Sequence, residues 1–264
     1  MKELSNRARL NLDRWLMRSV QDDDGLTGWL IEGGADVNAI DGYGYTPLMY
    51  ACSNNNCKLV EFLIKAGACV NAIDQGDLTA LMIASAWNYH EIVKLLIDSG
   101  ADVNVQSSIG KTALMYASSY ETIKVLVNAG ADVNMRNAYM RTVLSVACEK
   151  VDAKCVKLLL DSGSDINLQN NCGWTPLMVA VSKNRLEIID ILIKHGAELN
   201  LQKNNGQTAL MIAAIFGFKE CVKKLISAGA DVNLRDENGF TALDLAKKHE
   251  VEAIVKLLEE KESR

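Results

Sequence analysis

Residues 79–104 read TALMIASAWNYHEIVKLLIDSGADVN, and this stretch decides the fold. Thr79 is of the residue type that caps a helix by accepting a backbone N–H bond at its start. Further on, Ile92, Val93, Leu95, Leu96 and Ile97 give a strong apolar stripe, the mark of a second helix with one buried face. Gly100 ends that helix, because glycine takes the left-handed conformation just past a helix without steric cost. The next residues run extended toward a polar turn. The stretch therefore reads as a short helix, a second helix, a glycine stop and an extended exit.

The same unit recurs along the chain. GADVN stands unaltered at 34–38, 100–104, 130–134 and 229–233, with the variants GACVN from Gly67, GSDIN from Gly163 and GAELN from Gly196. Five of the six spacings between these starts are 33 residues and one is 30. A second string keeps phase: TPLM at 46–49 and 175–178, TALM at 79–82, 112–115 and 208–211, TVLS at 142–145 and TALD at 241–244. Pro after Thr suits a first helical turn, and Leu48/Ala51 or Leu177/Ala180 give the short helix a buried face. Turns such as DGYG (41–44) and DENG (236–239) are built from residues that favour tight turns. A lone pair of short helices cannot bury its apolar stripe, whereas stacked neighbours can.

This 33-residue pattern resembles the ankyrin repeat family over about residues 10 to 258. The resemblance implies an all-α repeat solenoid of stacked helix-turn-helix repeats, joined by β-hairpin-like loops and curved with a concave face. The expected organisation is an N-terminal capping repeat at 1–40 and a C-terminal capping repeat at 236–264. Six internal repeats lie between them, at 41–73, 74–106, 107–136, 137–169, 170–202 and 203–235. Terminal repeats need polar outer faces for solubility. Residues 8–33 fit such a cap, with Trp15, Leu16 and Trp29 expected inward and Arg7, Arg9, Arg14 and Arg18 outward. Lys247, Lys248, Glu250, Glu252, Lys256, Glu259, Glu260 and Lys261 charge one side of the other cap.

Three departures from the family pattern stand out. Where family members usually carry His after T-P-L, this chain has Met49, Met82, Met115, Met178 and Met211, with Ser145 and Asp244 in the other two copies. Methionine is a flexible apolar filler, so buried packing is preferred over a Met-rich ligand surface. The repeat at 107–136 lacks three residues, and the loss is expected between its helices, near Ser119, Tyr120 and Glu121. Finally, Met140 occupies a turn position where the family prefers Gly. Either that turn changes type or Met140 takes an unfavourable conformation.

Composition narrows the function classes. A formal net charge of −5 over 264 residues argues against general nucleic-acid binding, which goes with a basic domain. The seven cysteines are Cys52, Cys57, Cys69, Cys148, Cys155, Cys172 and Cys221. They contain no C-x-x-C pair, which points away from zinc sites and disulfide scaffolds and toward free thiols in a reducing, cytoplasmic setting. The N-terminus shows no signal peptide, and no apolar run approaches the ~20 residues of a membrane span. His90, His195 and His249 lie in different repeats, and no phosphate-cradling glycine loop occurs. No catalytic residue, cofactor or metal site is therefore expected.

In the ankyrin family, partners usually meet the concave face, built from turn tips and first helices. The resemblance carries the tip positions onto Tyr43, Tyr45, Leu78, Ile109, Lys111, Tyr139, Arg141, Trp174, Gln207 and Phe240. The ends of the first helices fall on Asn54, Trp87, Tyr120, Lys150, Lys183 and Phe216. Eight of the chain's fifteen Phe, Trp and Tyr residues sit in these columns. Exposed aromatics and Arg dominate interface hot spots, whereas the alternative is packing between repeats. Charge is uneven as well. Residues 21–41 hold six acids and no base, and residues 136–157 hold five bases against Glu149 and Asp152. Such a gradient orients an incoming partner, or else it only solvates the surface.

The expected function is a non-catalytic interaction module that binds a protein or peptide on the concave surface and is monomeric by itself. From another class, some ankyrin arrays stack bases on an aromatic in the slot before T-P-L, held here by Tyr45, Trp174 and Phe240. That makes a nucleotide-like or oligonucleotide ligand the alternative. A third reading, asparaginyl hydroxylation at Asn104, rests on a motif inherent to the repeat, so a structural role for that Asn is preferred.

Overall fold

The computed structural model describes residues 6–23 and 25–262, with the backbone alone for Asn6, Arg7 and Glu262. Asp24 of the acidic run and the placement expected of the Arg7 side chain lie outside the described residues. Sixteen helices and no strand occur among the described residues. They fall into two compact units, Met1–Asp132 and Val133–Arg264.

The first unit comprises α1 (Asn6–Asp22), α2 (Thr27–Glu32), α3 (Pro47–Ser53), α4 (Cys57–Lys65), α5 (Ala80–Ala86), α6 (His90–Asp98), α7 (Ala113–Tyr116) and α8 (Tyr120–Asn128). Within it α1, α3, α5 and α7 stack in one layer, and α4, α6 and α8 in a second. The second unit comprises α9 (Val143–Lys150), α10 (Ala153–Asp161), α11 (Pro176–Ser182), α12 (Leu186–Lys194), α13 (Ala209–Ile215), α14 (Lys219–Ser227), α15 (Ala242–Lys248) and α16 (Glu252–Glu262). Its layers are α9, α11, α13 and α15 against α10, α12, α14 and α16.

The two layers bury different amounts of surface. In α5 the residues Ala80 to Ser85 are all buried, because alanines let a neighbour approach on either side. In α6 only the stripe Ile92, Val93 and Leu96 is buried, as expected of a helix with one face to solvent. Each such Leu or Ile contributes about 1.5–3 kcal/mol. The threonines start the first helices as expected: Thr79 Oγ1 accepts from Met82 N at 3.2 Å, and Thr175 from Met178 N at 3.2 Å. Met49, Met82, Met115, Met178 and Met211 are all buried, so the filler reading holds. Two of them keep part of a polar role, since the Thr46 and Thr208 amides point at the Met49 and Met211 sulfurs at 3.5 Å. Asp244 does this fully, accepting Thr241 N at 3.0 Å.

Asparagine ties each repeat to the next. Asn71 donates to Gly100 O at 3.0 Å and accepts from Asp102 N at 2.9 Å. Asn38, Asn104 and Asn134 make the same pair of bonds one period on. Asn104 is thus structural, as preferred. The turn tips are linked as well. Gln75 N donates to Tyr43 O and Ser108 N to Gly76 O in the first unit, and Asn204 N to Cys172 O in the second. These loops are hairpin-like in their backbone pairing, with Asp41 N donating to Tyr45 O at 3.1 Å, and one isolated bridge joins Ile73 and Thr79.

Several expectations need correction. Trp15 and Trp29 do not turn inward; they are 61% and 76% exposed. The buried stripe of α1 is Leu16, Met17, Ser19 and Val20, and Trp15 falls one position off it, on the polar side. The three-residue loss shortens the first helix rather than the connection. α7 has 4 residues where α5 has 7, whereas α8 keeps the full 9. Tyr120 therefore opens α8 and does not sit at the end of a first helix. Of the two outcomes open to Met140, the second occurs: the turn is kept and Met140 takes φ 57°. In the same repeat, Val151 stands where other copies place a left-handed Asn55, Asn88, Asn184 or Gly217. A β-branched residue resists that conformation. Val151 is extended instead, with φ −104 and ψ 171.

Candidate functional site

Five of the seven turn tips are shaped by one side chain each. Asp41 Oδ1 accepts from the amides of Tyr43 and Tyr45 at 2.8 and 2.9 Å. Asp74 does the same for Gly76 and Leu78, Asn137 for Tyr139 and Arg141, Asn170 for Cys172 and Trp174, and Asp236 for Asn238 and Phe240. This fixes the direction in which each tip residue leaves the turn. Sequence reasoning saw the turn composition but not this shared acceptor.

In the first unit, Tyr43 and Ile109 are exposed and Leu78 is half-buried. Tyr45 is half-buried against Tyr50, ring centroids 5.2 Å apart, and Tyr50 donates its hydroxyl to Asp41 at 2.6 Å. Burial pushes the Asp41 carboxyl up, but the Tyr50 hydroxyl and the turn amides outweigh it and leave it below its ordinary value. The Tyr50 phenol is pushed up to about 12 by its burial and by that carboxylate. Trp87 is 62% exposed at the end of α5, and Tyr89 lies stacked on it at 6.4 Å and 12°. Asn88 between them accepts from the amides of Ser118 and Ser119 and so holds the shortened repeat in place. Tyr120 is half-buried at the start of α8, under Lys124 at 6.0 Å.

In the second unit, Tyr139 is exposed and Lys150 is exposed at the end of α9. Arg141 Nη2 pairs with Glu149 Oε2 at 2.6 Å, and Lys183 Nζ stands 3.8 Å from the other carboxylate oxygen. The Arg141 hydrogen bond holds the Glu149 carboxyl below its ordinary value, against the opposing effect of burial. Trp174 is half-buried with Lys203 Nζ 5.0 Å above its ring. Phe216 is 57% exposed and stacked on Phe218 at 5.6 Å and 15°. Phe240 is half-buried beneath Lys248, 4.8 Å from its ring centroid.

Of the residues singled out from the sequence, the structure brings Arg141 and Trp174 together with Lys183. With Glu149, Cys172 and Val179 they line a cleft of about 230 Å³. The counter-ion Glu149, the cation Lys203 and the ring partners Tyr89 and Phe218 were missed. A signal for the rings existed: WNY at 87–89 and FGF at 216–218 fall in the same phase of the repeat. Burial pushes the Cys148 thiol up to about 12 and the Cys221 thiol up to about 11, whereas Cys69 and Cys172 are exposed. Among the described residues no cluster of His, Cys, Asp or Glu has the makings of a metal site, and no helix is long and apolar enough to cross a membrane.

No curated protein matches the chain. A family profile described as ankyrin repeats (3 copies) matches residues 16–107, 114–203, 144–236 and 195–264. These matches cover the helix pairs, the threonine-started first helices and the asparagine links, and so the chain belongs to the ankyrin repeat family, whose repeats are generally protein–protein interaction modules.

Proposed function

We propose that this chain is a non-catalytic interaction module that binds a protein or peptide partner through its turn tips and first-helix ends, as scaffold, sequestering agent or inhibitor. One observation carries the reading. Trp87 and Phe216 occupy the same repeat position, both stay more than half exposed, and each is stiffened by an aromatic two residues on. A rigid, exposed aromatic is the residue type that anchors interfaces. The proposed contact set is Tyr43, Tyr45, Leu78, Trp87 and Ile109 in the first unit. In the second it is Tyr139, Arg141, Lys150, Trp174, Phe216 and Phe240. Tyr120 joins it only as the first residue of α8. In the same reading 1–40 and 236–264 serve as caps of a cytoplasmic monomer.

The nucleotide alternative is less well supported. Tyr45, Trp174 and Phe240 each have a Tyr or Lys against the ring, so a base would have to displace it. The deciding experiment is affinity capture from native lysate with wild type and with a Trp87→Ala/Phe216→Ala variant, both verified as folded by circular dichroism. A partner held by the wild type and lost by the variant is the expected result. Equal retention would move the contact surface elsewhere, and the rings would revert to packing.

A further inference from the structure

We infer that the cleft of the second unit between Arg141, Trp174 and Lys183 receives a carboxylate side chain from an acidic segment of a protein partner. This rests on the interaction-module reading and adds the chemistry of what is recognised.

The turn caps around the cleft differ in charge from those elsewhere. Asp41, Asp74 and Asp236 cap their turns with a carboxyl oxygen, whereas the turns flanking the cleft use Asn137 and Asn170. The amide oxygens make the same two bonds at 2.9 to 3.0 Å, so an acid would build these turns equally well. Using Asn instead keeps negative charge out of the cleft. At the next turn the corresponding residue is Lys203, which reverses the sign.

The balance of charge in the cleft also favours an anion. Glu149 is the sole anion among the residues lining the cleft, and it faces Arg141 and Lys183, with Lys203 beside them on Trp174. Arg141 is already paired with Glu149 through Nη2 at 2.6 Å, but Lys183 at 3.8 Å lies beyond hydrogen-bond length and keeps its donors for a second acceptor. Arg185 is not part of this surplus, because its guanidinium is committed to backbone carbonyls.

Size and lining select the ligand class. The cleft holds about 230 Å³. That volume has room for a single side chain. Trp174, with Lys203 over its ring, and Val179 give the cleft an apolar lining beside its cations.

The test uses the full chain and a fluorescein-labelled peptide that alternates Glu with Leu and Ala, with a control carrying Gln for every Glu. Binding is read by anisotropy at about 50 mM and about 300 mM salt. The Glu peptide should bind, the control should not, and affinity should fall roughly tenfold or more at the higher salt. Lys183→Glu/Lys203→Glu should weaken binding by about tenfold or more, and Glu149→Gln, which removes the resident anion, should strengthen it. Bound peptide should slow alkylation of the exposed Cys172, which lines the cleft, and leave that of Cys69 in the other unit unchanged.

Equal binding of both peptides, an unprotected Cys172, or ATP or an oligonucleotide bound in place of the peptide would each overturn the inference. A captured partner retained by Lys183→Glu/Lys203→Glu would sink it too while leaving the interaction-module reading intact. That reading fails separately if the wild type captures nothing.

Discussion

Arg185 donates from Nη2 to the carbonyl oxygen of Val151 at 2.7 Å, across 34 positions of sequence. A second bond from Nη1 reaches Glu149 O at 3.2 Å. The end of α9 needs these donors because Val151 does not take the left-handed conformation that closes α3, α5, α11 and α13. Replacing Arg185 with Met should cost about 1.5–3 kcal/mol in urea unfolding, with Lys recovering only part of it. No loss with Met would mean that water serves the two carbonyls as well.

Met140 is in the left-handed region at φ 57°, where the equivalent residues Gly44, Gly173 and Gly206 sit without a Cβ penalty. Met140→Gly removes a strain of about 1–2 kcal/mol, part of which is offset by the freer unfolded glycine. A net gain of about 0.5–1 kcal/mol is expected from a thermal melt. Gly173→Ala should do the opposite and more strongly, because a Cβ there would lie 2.6 Å from the Asn204 amide nitrogen.

Ser85 is fully buried in α5 and its hydroxyl has no hydrogen-bond partner. Cys52, Val181 and Ala214 stand at the same repeat position, so the helix does not require a hydroxyl there. Ser85→Ala should stabilise the chain by about 1 kcal/mol, seen as a higher urea midpoint. A lower midpoint would reveal a role for the hydroxyl that this packing does not explain.

Asn71 makes both bonds that tie its repeat to the next. Asn71→Ala removes them and should cost about 1–2 kcal/mol. Asn71→Asp keeps the acceptor for Asp102 N but turns a carboxylate on Gly100 O. It should recover little of the loss near neutral pH, and hydrogen exchange should show the added opening at residues 100–102.

Asp244 is held below its ordinary value of 3.8 by the Thr241 amide and then by the Thr241 hydroxyl. A depressed folded value means that its contribution is fully present above about 3.8 and is lost as the pH falls through the folded value. Asp244→Asn should therefore give a flatter fall in stability between neutral pH and about pH 2 than the wild type does. Superimposable acid profiles would show that the capping bond has no net effect on stability.

The period, the threonine starts and the glycine stops are legible in the sequence because they act within a few residues of themselves. Trp15 and Trp29 are misread when hydrophobicity is taken as burial. The spacing of Leu16, Ser19 and Val20 sets the inward face and leaves Trp15 out. Tyr120 is misplaced by counting forward from Thr112 across the deletion. Counting back from Gly130 puts it level with His90, where the structure has it. The Glu149 ion pairs and the Arg185 bonds join segments up to 36 positions apart, and no local pattern announces them.

The asparagine links also bear on how such a chain changes length over generations. Asn38 grips Gly67 O and Cys69 N, and Gly100 O and Asp102 N offer the same two atoms at the same spacing. A recombination that removed one whole period would hand Asn38 an equivalent grip with no new contact to invent. The repeat three residues short keeps that grip too, since Asn104 holds Gly130 O and Asp132 N, and its loss falls on α7, which is down to a single turn. Gain and loss by whole repeats thus leaves every helix at full length, whereas a shorter loss keeps the links and is taken out of a helix.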